Sequence, residues 1–187
     1  MGGVEPHLEQ FVAWKADVWD DAVCLSTATP DGVPSARMVL CKGADDRGFV
    51  FHTNGNSAKG RDLDANPVAA LTWYWPPDKQ VRVTGAVERL AVGESDDYWA
   101  SRPRASQLGA WASPQSEVIA GRGELEARLA EVTARFDGVA VARPPHWGGY
   151  RVVPETIEYW IHRDDRLHDR VRWRRTSGGW VSEVLAP

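Results

Sequence analysis

Short runs of alternating polar and apolar residues, separated by turn-forming residues, constrain the fold of this chain more than any other feature. Across residues 80–90, valines alternate with polar residues, which is the period of a strand with one buried face. The runs 22–27 and 35–41 flank Pro30-Asp31-Gly32, a turn in which proline presets φ and glycine accepts a positive φ, and together they predict a hairpin. Strands joined by such turns predict an antiparallel barrel rather than a sheet built from βαβ units. The other predicted strands cover 49–53, 67–75, 149–153, 156–161, 168–174 and 179–185.

Helical patterns are fewer than strand patterns. An apolar stripe predicts a helix from Pro6 to about Val18, and Ser57 can cap a short helix that runs through Asp64. Residues 94–101 and 124–136 are also helical in pattern, and Gly138 is a suitable stop for the second of them. The predicted fold class is therefore mainly β with appended helices, an antiparallel Greek-key-like barrel in a single domain of residues 1–187.

Residues 166–175 contain five arginines and a histidine, although the formal net charge of the chain is −4. Arg170, Arg172 and Arg174 alternate with Val171 and Trp173, so a strand here would have one cationic face and one apolar face. Two interpretations stay open. The charges could protect an exposed edge strand from aggregation. They could also form an anion site, since arginine suits bidentate contact with phosphate or carboxylate.

Two other basic segments are candidates for ligand contact. Arg37 and Lys42 are separated by an odd number of residues, which places them on opposite faces of a regular strand. The segment 57–61 opens a helix, where free N–H groups and the charge of Lys59 would suit a phosphate. An unremarkable strand edge and a plain surface helix start are the respective alternatives.

Tyr98, Arg102 and Ser106 recur every four residues, which is the spacing of one helical face. Pro103 interrupts a single helix, so their alignment requires a helix-turn arrangement. Phenol, guanidinium and hydroxyl groups all donate hydrogen bonds to oxyanions, and Gln115-Ser116 offers two further polar groups. The three residues therefore indicate a phosphate shell, with a solvated helical corner as the alternative.

The usual side-chain machinery for catalysis is missing from the sequence. It contains no G-x-S-x-G, Walker or G-x-G-x-x-G motif, and no Cys/His cluster with metal-ligand spacing, so no metal is expected. A cation-lined site without such groups is typical of an enzyme that takes its chemistry from a cofactor.

Composition limits the cellular compartment and the kinds of partner that are expected for this protein. No apolar run approaches the roughly 18 residues of a membrane span, and residues 1–10 lack the apolar segment of a signal peptide. Cys24 and Cys41, the only cysteines, lie in strand-like runs and indicate reduced thiols in the cytoplasm. A pI near 5.7 disfavours a nucleic-acid partner, so RNA binding through the C-terminal arginines is the least favoured function.

The chain resembles the pyridoxamine 5′-phosphate oxidases, flavin-dependent enzymes of vitamin B6 metabolism. The resemblance rests on the order and spacing of short segments between about residue 35 and residue 187. Two of them are Arg37-Met38-Val39-Leu40-Cys41-Lys42 and Arg166-Leu167-His168-Asp169-Arg170. The others are 51–54, 57–59, 80–82, 101–110, 115–116, 147–149, 158–160 and 185–187.

The resemblance implies an FMN-binding split barrel that acts as a homodimer with FMN at the subunit interface. It implies that a hydride passes from C4′ of pyridoxine or pyridoxamine 5′-phosphate to flavin N5. Oxygen then reoxidises the flavin, which gives hydrogen peroxide and pyridoxal 5′-phosphate, and the amine substrate also releases ammonia. The implied substrate contacts are Lys42, Tyr98, Arg102 and Ser106 on the phosphate, with Arg166 and His168 over the pyridine ring as catalytic residues. The implied FMN contacts are Arg37, Met38, Val39, Leu40, Cys41, Lys42, His52, Thr53, Lys59, Gln80, Gln115, Ser116, Trp160 and Arg170.

Several positions depart from the family pattern. Ala58 stands where an arginine is usual, which removes one contact to the FMN phosphate, and Arg61 is a candidate to replace it. His52 stands where tyrosine or another aromatic residue is common, and Ile161-His162-Arg163 replaces a more glycine-rich approach to Arg166. Two alternative functions stay open: a flavin oxidase of the same fold that acts on a secondary metabolite, as in phenazine-forming relatives, and a non-enzymatic flavin-binding protein.

Overall fold

The computed structural model describes residues 5–187, in which antiparallel strands predominate. Residues 1–4, part of the polar N-terminal stretch judged not to be a signal peptide, lie outside the described residues. The strands are β1 Ala22–Ala28, β2 Pro34–Asp45, β3 Gly48–Asn54, β4 Val68–Trp75, β5 Lys79–Arg89, β6 Trp147–Ile161, β7 Asp169–Thr176 and β8 Gly179–Val184. The helices are α1 Pro6–Ala16, α2 Ala58–Ala65, α3 Val92–Ser101, α4 Arg104–Ala112 and α5 Arg122–Arg135.

Six of the strands close into a barrel. The hydrogen-bonded order is β3-β2-β1-β4-β5-β6, and β6 pairs again with β3 to complete the ring. Every pairing is antiparallel, and short turns join β1 to β2, β2 to β3, β4 to β5 and β7 to β8. The predicted fold class, a mainly β antiparallel barrel with added helices, is confirmed. β7 and β8 continue from β6 as a hairpin beyond the barrel.

β6 is one strand of 15 residues, and the prediction of two separate strands over 149–153 and 156–161 was wrong. Pro154 and Glu155 resemble a strand break in sequence, but the pairing with β5 continues past them. Gly85 pairs with Pro154 and Thr84 with Thr156, so Glu155 is the extra residue of a β-bulge. The bulge changes which residues face inward: Tyr150 and Val152 lie in the core before it, and Ile157 and Tyr159 after it.

The main core fills the barrel, and α1 covers it. Leu8, Phe11 and Trp14 of α1 are buried in the same cluster as the strand residues. The ring of Phe11 meets Phe49 and Trp73 edge-on at centroid distances of 5.0 and 5.1 Å. Aromatic pairs of this kind add to the stabilisation from burial itself. The apolar stripe predicted for this helix is therefore its buried face, although the helix ends at Ala16 rather than near Val18.

A second, smaller core holds α3, α4 and α5 against the start of β6. Its buried members are Trp99, Leu108, Phe136, Val141 and Trp147. Pro103 separates α3 from α4, which confirms the helix-turn arrangement expected from the sequence. The helix α4 after this turn had not been assigned from the sequence.

Among residues 5–187, no helix combines the length and the apolar character needed to cross a membrane. The expected cytoplasmic location stays a prediction.

Candidate active site

A cleft of about 400 Å³ opens between β2, β3, the three helices α2, α3 and α4, and the first residue of β6. It is called the cleft below. It brings together eleven side chains that the sequence had marked as site residues. These are Met38, Val39, Leu40, Lys42, His52, Thr53, Lys59, Tyr98, Arg102, Ser106 and Gln115.

Lys59 is the buried cation at one end of the cleft. Ser57 caps α2 by accepting a hydrogen bond from the Gly60 N–H, as predicted, and this turn points Lys59 inward. The Lys59 Nζ donates to Thr53 Oγ1 and Ser57 Oγ at 3.2 Å and to Gln115 Oε1 at 3.3 Å. Lys59 is 7% exposed and forms no ion pair with a carboxylate within residues 5–187. Burial, and then the nearby charge of Arg37, lowers the pKa of Lys59.

Aromatic rings and a guanidinium form another part of the cleft lining. The His52 ring stacks on Tyr98 at 4.0 Å and on Trp147 at 5.4 Å between centroids. Arg102 lies 4.5 Å from the Trp147 ring centroid in a cation–π contact. Burial, followed by the charge of Arg102, lowers the pKa of His52 to about 4, so this imidazole is neutral near pH 7. Both His52 nitrogens and Arg102 Nη1 are buried without a hydrogen-bond partner among the described residues.

Contacts with β6 and with the segment before it hold α3, the helix that carries Tyr98. The buried Arg151 donates to Glu94 at 3.1 Å, and Ser95 Oγ accepts from the Gly149 N–H at 3.1 Å. Trp99 Nε1 donates to the Val141 carbonyl at 2.7 Å. Because α3 is fastened along its length, Tyr98 and the following Arg102 are held in place before any ligand arrives.

Arg37 and Lys42 project from opposite faces of β2, as their spacing predicted. Arg37 donates to Thr27 Oγ1 at 2.7 Å and lies 3.6 Å from Asp62, and its side chain is not part of the cleft lining. Lys42 lines the cleft but is paired with Asp21 at 2.8 Å. The hydrogen bond between them raises the pKa of Lys42 and lowers that of Asp21.

Cys41 and Arg61 are not brought to the cleft surface. Cys41 packs in the barrel core, where burial raises its pKa to about 11, so the thiol stays protonated at neutral pH. Arg61 is exposed and donates to the Asn56 carbonyl, outside the cleft lining. Arg61 therefore has no contact here that would replace the arginine missing at position 58.

The remaining predicted site residues, apart from Ser116, lie at the far end of β6. Gln80, Trp160 and Arg170 are paired neighbours on β5, β6 and β7. The His168 ring is 4.6 Å from Trp160, and Arg170 Nε donates to Glu158 at 2.8 Å. Five residues are called the C-terminal cluster below: Gln80, Trp160, Arg166, His168 and Arg170. In the described chain none of them lines the cleft.

Arg172 and Arg174 of the arginine-rich strand match neither interpretation of the sequence. β7 lies between β6 and β8, so it is not an edge strand. Arg172 Nη2 and Arg174 Nη2 donate to the two oxygens of Glu183 on β8 at 2.6 and 3.0 Å. The partner of these two arginines is a carboxylate of the same chain, so they form no vacant anion site.

Two site residues have an unusual backbone conformation. Ser116 and Arg166 are the non-glycine residues with positive φ within residues 5–187, at 72° and 68°. Non-glycine residues in this region carry a conformational cost and concentrate at functional sites. Ser116 follows the cleft residue Gln115 but is itself outside the cleft lining.

Sequence reasoning missed part of the cleft wall. Trp147, the residue whose ring contacts both His52 and Arg102, had been noted only as part of a tryptophan-glycine-glycine motif. A buried aromatic directly before two glycines was the available signal. The other lining residues without a sequence prediction are Asn54, Gly109, Ala110 and Ser113.

A closed antiparallel barrel with a cation-lined cleft on its flank defines the class of FMN-binding split-barrel proteins. The solved structure of a pyridoxamine 5′-phosphate oxidase-related, FMN-binding protein from Nostoc punctiforme shares this fold, with a TM-score of 0.77, 20% identity and full coverage of both chains. The match to family models goes further. Residues 10–136 match the pyridoxamine 5′-phosphate oxidase model, and residues 147–187 match the pyridoxine 5′-phosphate oxidase C-terminal dimerisation region. The chain belongs to the pyridoxamine 5′-phosphate oxidase family.

Individual relatives agree with this assignment. A pyridoxine/pyridoxamine 5′-phosphate oxidase from Rubrobacter xylanophilus is 52% identical over 99% of this chain and 89% of its own length. The crystal structure of PhzG from Burkholderia lata, in complex with tetrahydrophenazine-1-carboxylic acid, has a TM-score of 0.88 and 35% identity. That match covers 96% of this chain and 90% of PhzG.

The residues of the cleft fit the cofactor of this family. A phosphate needs cations and N–H or O–H donors, and Lys59, Thr53 and the capped start of α2 supply them at one end. The buried His52 and Arg102 atoms without partners are further groups that a polar ligand can satisfy. The expectation of an FMN-dependent oxidase is therefore confirmed at the level of the family. The match to the dimerisation region supports the expected homodimer.

Proposed function

We propose that this protein oxidises pyridoxine 5′-phosphate or pyridoxamine 5′-phosphate to pyridoxal 5′-phosphate with FMN and O2, as a homodimer. One observation supports the proposal: the cleft contains two sets of anion-binding groups that share no side-chain contact in the described part of the chain. One set surrounds Lys59, and the other surrounds Arg102. A cleft for one phosphorylated ligand would need only one such set, whereas a flavin mononucleotide and a phosphorylated substrate need two.

In this proposal Lys59 and its neighbours hold the FMN phosphate. Thr53 and Gln115 already contact Lys59 Nζ, so the phosphate would join an existing hydrogen-bond network. The β2 segment beside it, Met38 to Leu40, would line the flavin. A bound phosphate would also compensate the cost of burying Lys59 without a carboxylate partner.

The substrate phosphate belongs to the second set. Tyr98, Arg102 and Ser106 come from the α3–α4 turn, and Lys42 reaches the same cleft from β2. Guanidinium, ammonium, phenol and hydroxyl groups are all donors, so none of them repels a phosphate. The Trp147 ring packs against Arg102, and the His52 ring stacks on Trp147 in turn, so both rings support the position of Arg102.

The C-terminal cluster would reach this site from the other subunit. Trp147 begins β6 and Trp160 lies near its end, and 15 residues of extended strand correspond to roughly 45 to 50 Å. A two-fold axis allows each chain to offer its cleft to the cluster of its partner. Gln80, Trp160 and Arg170 of the partner subunit would then contact FMN, and Arg166 and His168 of the partner subunit would cover the substrate ring.

FMN held by these residues would supply the chemistry of the reaction, a hydride acceptor for C4′ of the substrate, and O2 would take up the two electrons and two protons as hydrogen peroxide. The task of the protein is to place C4′ beside the flavin and to exclude water. Arg166 has no carboxylate partner among the described residues, so its guanidinium is available to donate to an oxygen on the ring and orient it. The alcohol substrate then leaves as the aldehyde, and the amine substrate gives the aldehyde and ammonia after addition of water.

Anaerobic mixing of the FMN-loaded protein with pyridoxine 5′-phosphate tests the reaction. The yellow flavin absorbance should bleach, and admitting oxygen should restore it with one equivalent of hydrogen peroxide. Unphosphorylated pyridoxine is the matched control and should bleach the flavin far more slowly. Flavin that stays oxidised with the phosphorylated substrate would refute the proposed reaction.

Mixed dimers test the shared site. Arg102→Met damages the cleft and Arg166→Ala damages the cluster, so each homodimer should be nearly inactive. After random subunit exchange, half of the dimers are mixed and each contains one intact site, so about a quarter of the wild-type activity should return. Failure to recover activity in verified mixed dimers would show that each chain builds its site alone.

Oxidation of a phenazine precursor is the second candidate function, because the PhzG structure with tetrahydrophenazine-1-carboxylic acid is similar along nearly the whole chain. A carboxylate ligand needs fewer donors than Tyr98, Arg102, Ser106 and Lys42 provide together, which favours the phosphorylated substrate. Competition between the two ligands in the anaerobic assay separates these functions, since the true substrate bleaches the flavin at the lower concentration.

A further inference from the structure

The loop between β6 and β7, residues 162–168, is fixed by hydrogen bonds of its own chain. The His162 N–H donates to the Asp78 carbonyl at 2.8 Å, which ties the start of the loop to the β4–β5 turn. The Arg166 N–H donates to the Arg163 carbonyl at 3.1 Å, and the Leu167 N–H donates to Asp165 Oδ1 at 2.9 Å. The loop that carries Arg166 and His168 is therefore ordered before any ligand binds.

Arg163 makes the contact that matters for His168. The Arg163 backbone N–H donates to His168 Nδ1 at 3.1 Å. A ring nitrogen that accepts a hydrogen bond carries no proton, so the neutral His168 imidazole must carry its proton on Nε2. The contact thus decides which nitrogen of His168 can donate to a ligand.

We propose that Arg163 is a positioning residue that locks His168 in the Nε2–H tautomer and so makes it a fixed hydrogen-bond donor to the substrate. The part concerning the substrate rests on the proposed function, whereas the tautomer does not. A donor aimed at the substrate ring can contact only an acceptor there, such as a ring-bound oxygen, so the lock selects for substrates with an acceptor at that position.

The side chain of Arg163 holds its backbone in place. Its guanidinium binds Asp169 Oδ2 through both Nε, at 2.9 Å, and Nη2. Asp169 is the first residue of β7 and follows His168 directly, so the ion pair closes the loop on both sides of the imidazole. The rings of Trp160 and His162 lie 4.6 and 5.2 Å from the His168 ring and restrict its rotation. A loop closed by a side-chain pair loses less conformational entropy when it must present one geometry.

The ion pair depends on the side chain of Arg163 and not on its backbone alone. A glycine at position 163 could still offer a backbone N–H, but it could not form the ion pair with Asp169 that keeps the N–H in place.

Nitrogen-15 NMR of histidine-labelled protein reads the tautomer directly. The full-length, FMN-loaded dimer is measured in mildly alkaline buffer, and the His168 signals are assigned from their absence in His168→Gln. The wild type should show His168 with its proton on Nε2. Arg163→Ala should show a mixture of the two tautomers, and Arg163→Lys should recover most of the wild-type state. Arg122→Ala is the matched control, since Arg122 also forms an exposed ion pair, with Glu126 at 2.9 Å on α5, and it should change nothing.

Two outcomes would overturn the proposal: a wild-type His168 protonated on Nδ1, or an Arg163→Ala variant with the wild-type tautomer. Asp169→Asn removes the anchor of the guanidinium without changing residue 163, so it provides the same test if Arg163→Ala folds poorly. It should also mix the tautomers.

Steady-state kinetics test whether the His168 tautomer affects the reaction. Because exposed ion pairs are weak, kcat of Arg163→Ala should fall by up to about fivefold, with KM for pyridoxine 5′-phosphate little changed. Arg163→Lys should restore kcat. An inactive wild type together with a fixed Nε2–H tautomer would refute the proposed function and leave the lock intact, whereas an active wild type with free tautomer exchange would refute the lock alone.

Discussion

The cleft and the C-terminal cluster both contain cationic and aromatic side chains, but they differ in how many of the cations have a carboxylate partner. In the cleft, Lys59 is 7% exposed and Arg102 lies against aromatic rings, and neither meets a carboxylate within residues 5–187. In the cluster, Arg170 is paired with Glu158 at 2.8 Å, and the adjoining Arg163 is paired with Asp169. Among the described residues, the cleft thus keeps two cations without a carboxylate partner beside the paired Lys42, whereas the cluster keeps one, Arg166, beside the paired Arg170.

This difference indicates what each region contributes to a ligand. A buried cation without a counter-charge lowers stability until an anion arrives, so a bound phosphate would stabilise the cleft. A cluster whose charges are already paired gains little from an anion, and it offers ring surfaces and directed donors instead. Arg166, which has no carboxylate partner in the described chain, is the exception and marks the point where the cluster would meet the substrate.

The largest expected effect comes from removing the charge at the base of the cleft. Lys59→Met keeps the length of the side chain and removes a charged hydrogen-bond donor, a change that typically costs 1.5 to 3 kcal/mol. The Kd of FMN should therefore rise about 10- to 150-fold, measured by flavin fluorescence titration. The FMN-free protein should stay folded, because the substitution also removes a buried unpaired charge.

Arg61→Ala is the matched control on the same helix. Its guanidinium faces Asn56 outside the cleft, so FMN affinity should change less than about twofold. If Arg61→Ala weakens FMN binding as much as Lys59→Met, then Arg61 does replace the missing arginine and the described orientation is not the functional one.

A pair of arginine variants compares the two regions directly. Arg102→Met should reduce kcat/KM for pyridoxine 5′-phosphate about 10- to 150-fold, since it removes a charged phosphate contact, and should leave the Kd of FMN nearly unchanged. Arg172→Met, in the strand beside the cluster, should change kcat/KM less than about twofold, because Arg172 is satisfied by Glu183. Equal losses in both variants would remove the distinction between the regions.

The free energy of unfolding should depend on pH because of His52, a partly buried residue of the cleft. The pKa of His52 is about 4 in the folded protein against an ordinary value of 6.5, so the unfolded chain binds the proton more readily between these values. Its stabilising effect is present above pH 6.5 and is lost as the pH falls toward 4. With allowance for partial exposure, wild type should lose about 1 to 2 kcal/mol more than His52→Phe between pH 7 and pH 4.5. Urea unfolding of the FMN-free proteins measures this difference, and parallel pH profiles would contradict it.

The smallest effect is expected at the rim of the cleft. Asp21 holds Lys42 at 2.8 Å and competes with any anion for this ammonium group. Asp21→Asn should therefore tighten binding of pyridoxal 5′-phosphate by up to about fivefold, the size expected for an exposed ion pair. Asp17→Asn, an exposed acid on the same connection, serves as control in the same titration. Weaker binding in Asp21→Asn would show that Asp21 orients Lys42 rather than restraining it.

Local patterns were enough to predict the barrel. In β1, buried and partly exposed residues alternate without a break, as the sequence pattern predicted. The turns around Gly32 and Gly48 join antiparallel neighbours. The four-residue spacing of Tyr98, Arg102 and Ser106 also placed them correctly in one cleft, because the helix-turn geometry is local.

Contacts between distant segments could not be read from the same patterns. The pairing of Arg172 and Arg174 with Glu183 depends on the register of β7 with β8, and the role of Trp147 depends on stacking against rings from β3 and α3. The separation of the cluster from the cleft follows from the length of β6, which was predicted as two pieces. The single-domain assignment and the individual ligand contacts stay predictions.

Glu155, the extra residue in β6, sets the phase between the two ends of that strand. Upstream of it, even-numbered residues such as Tyr150 and Val152 face the barrel core, and downstream the odd-numbered Ile157 and Tyr159 do so. Deleting this one residue would remove the bulge but leave Thr156 opposite Thr84, so Ile157 and Tyr159 would still face the core. Deleting a residue anywhere else in the strand would instead turn the residues on one side of the change to the opposite face. The bulge is therefore the one place in β6 where the loss of a residue should leave the core face intact.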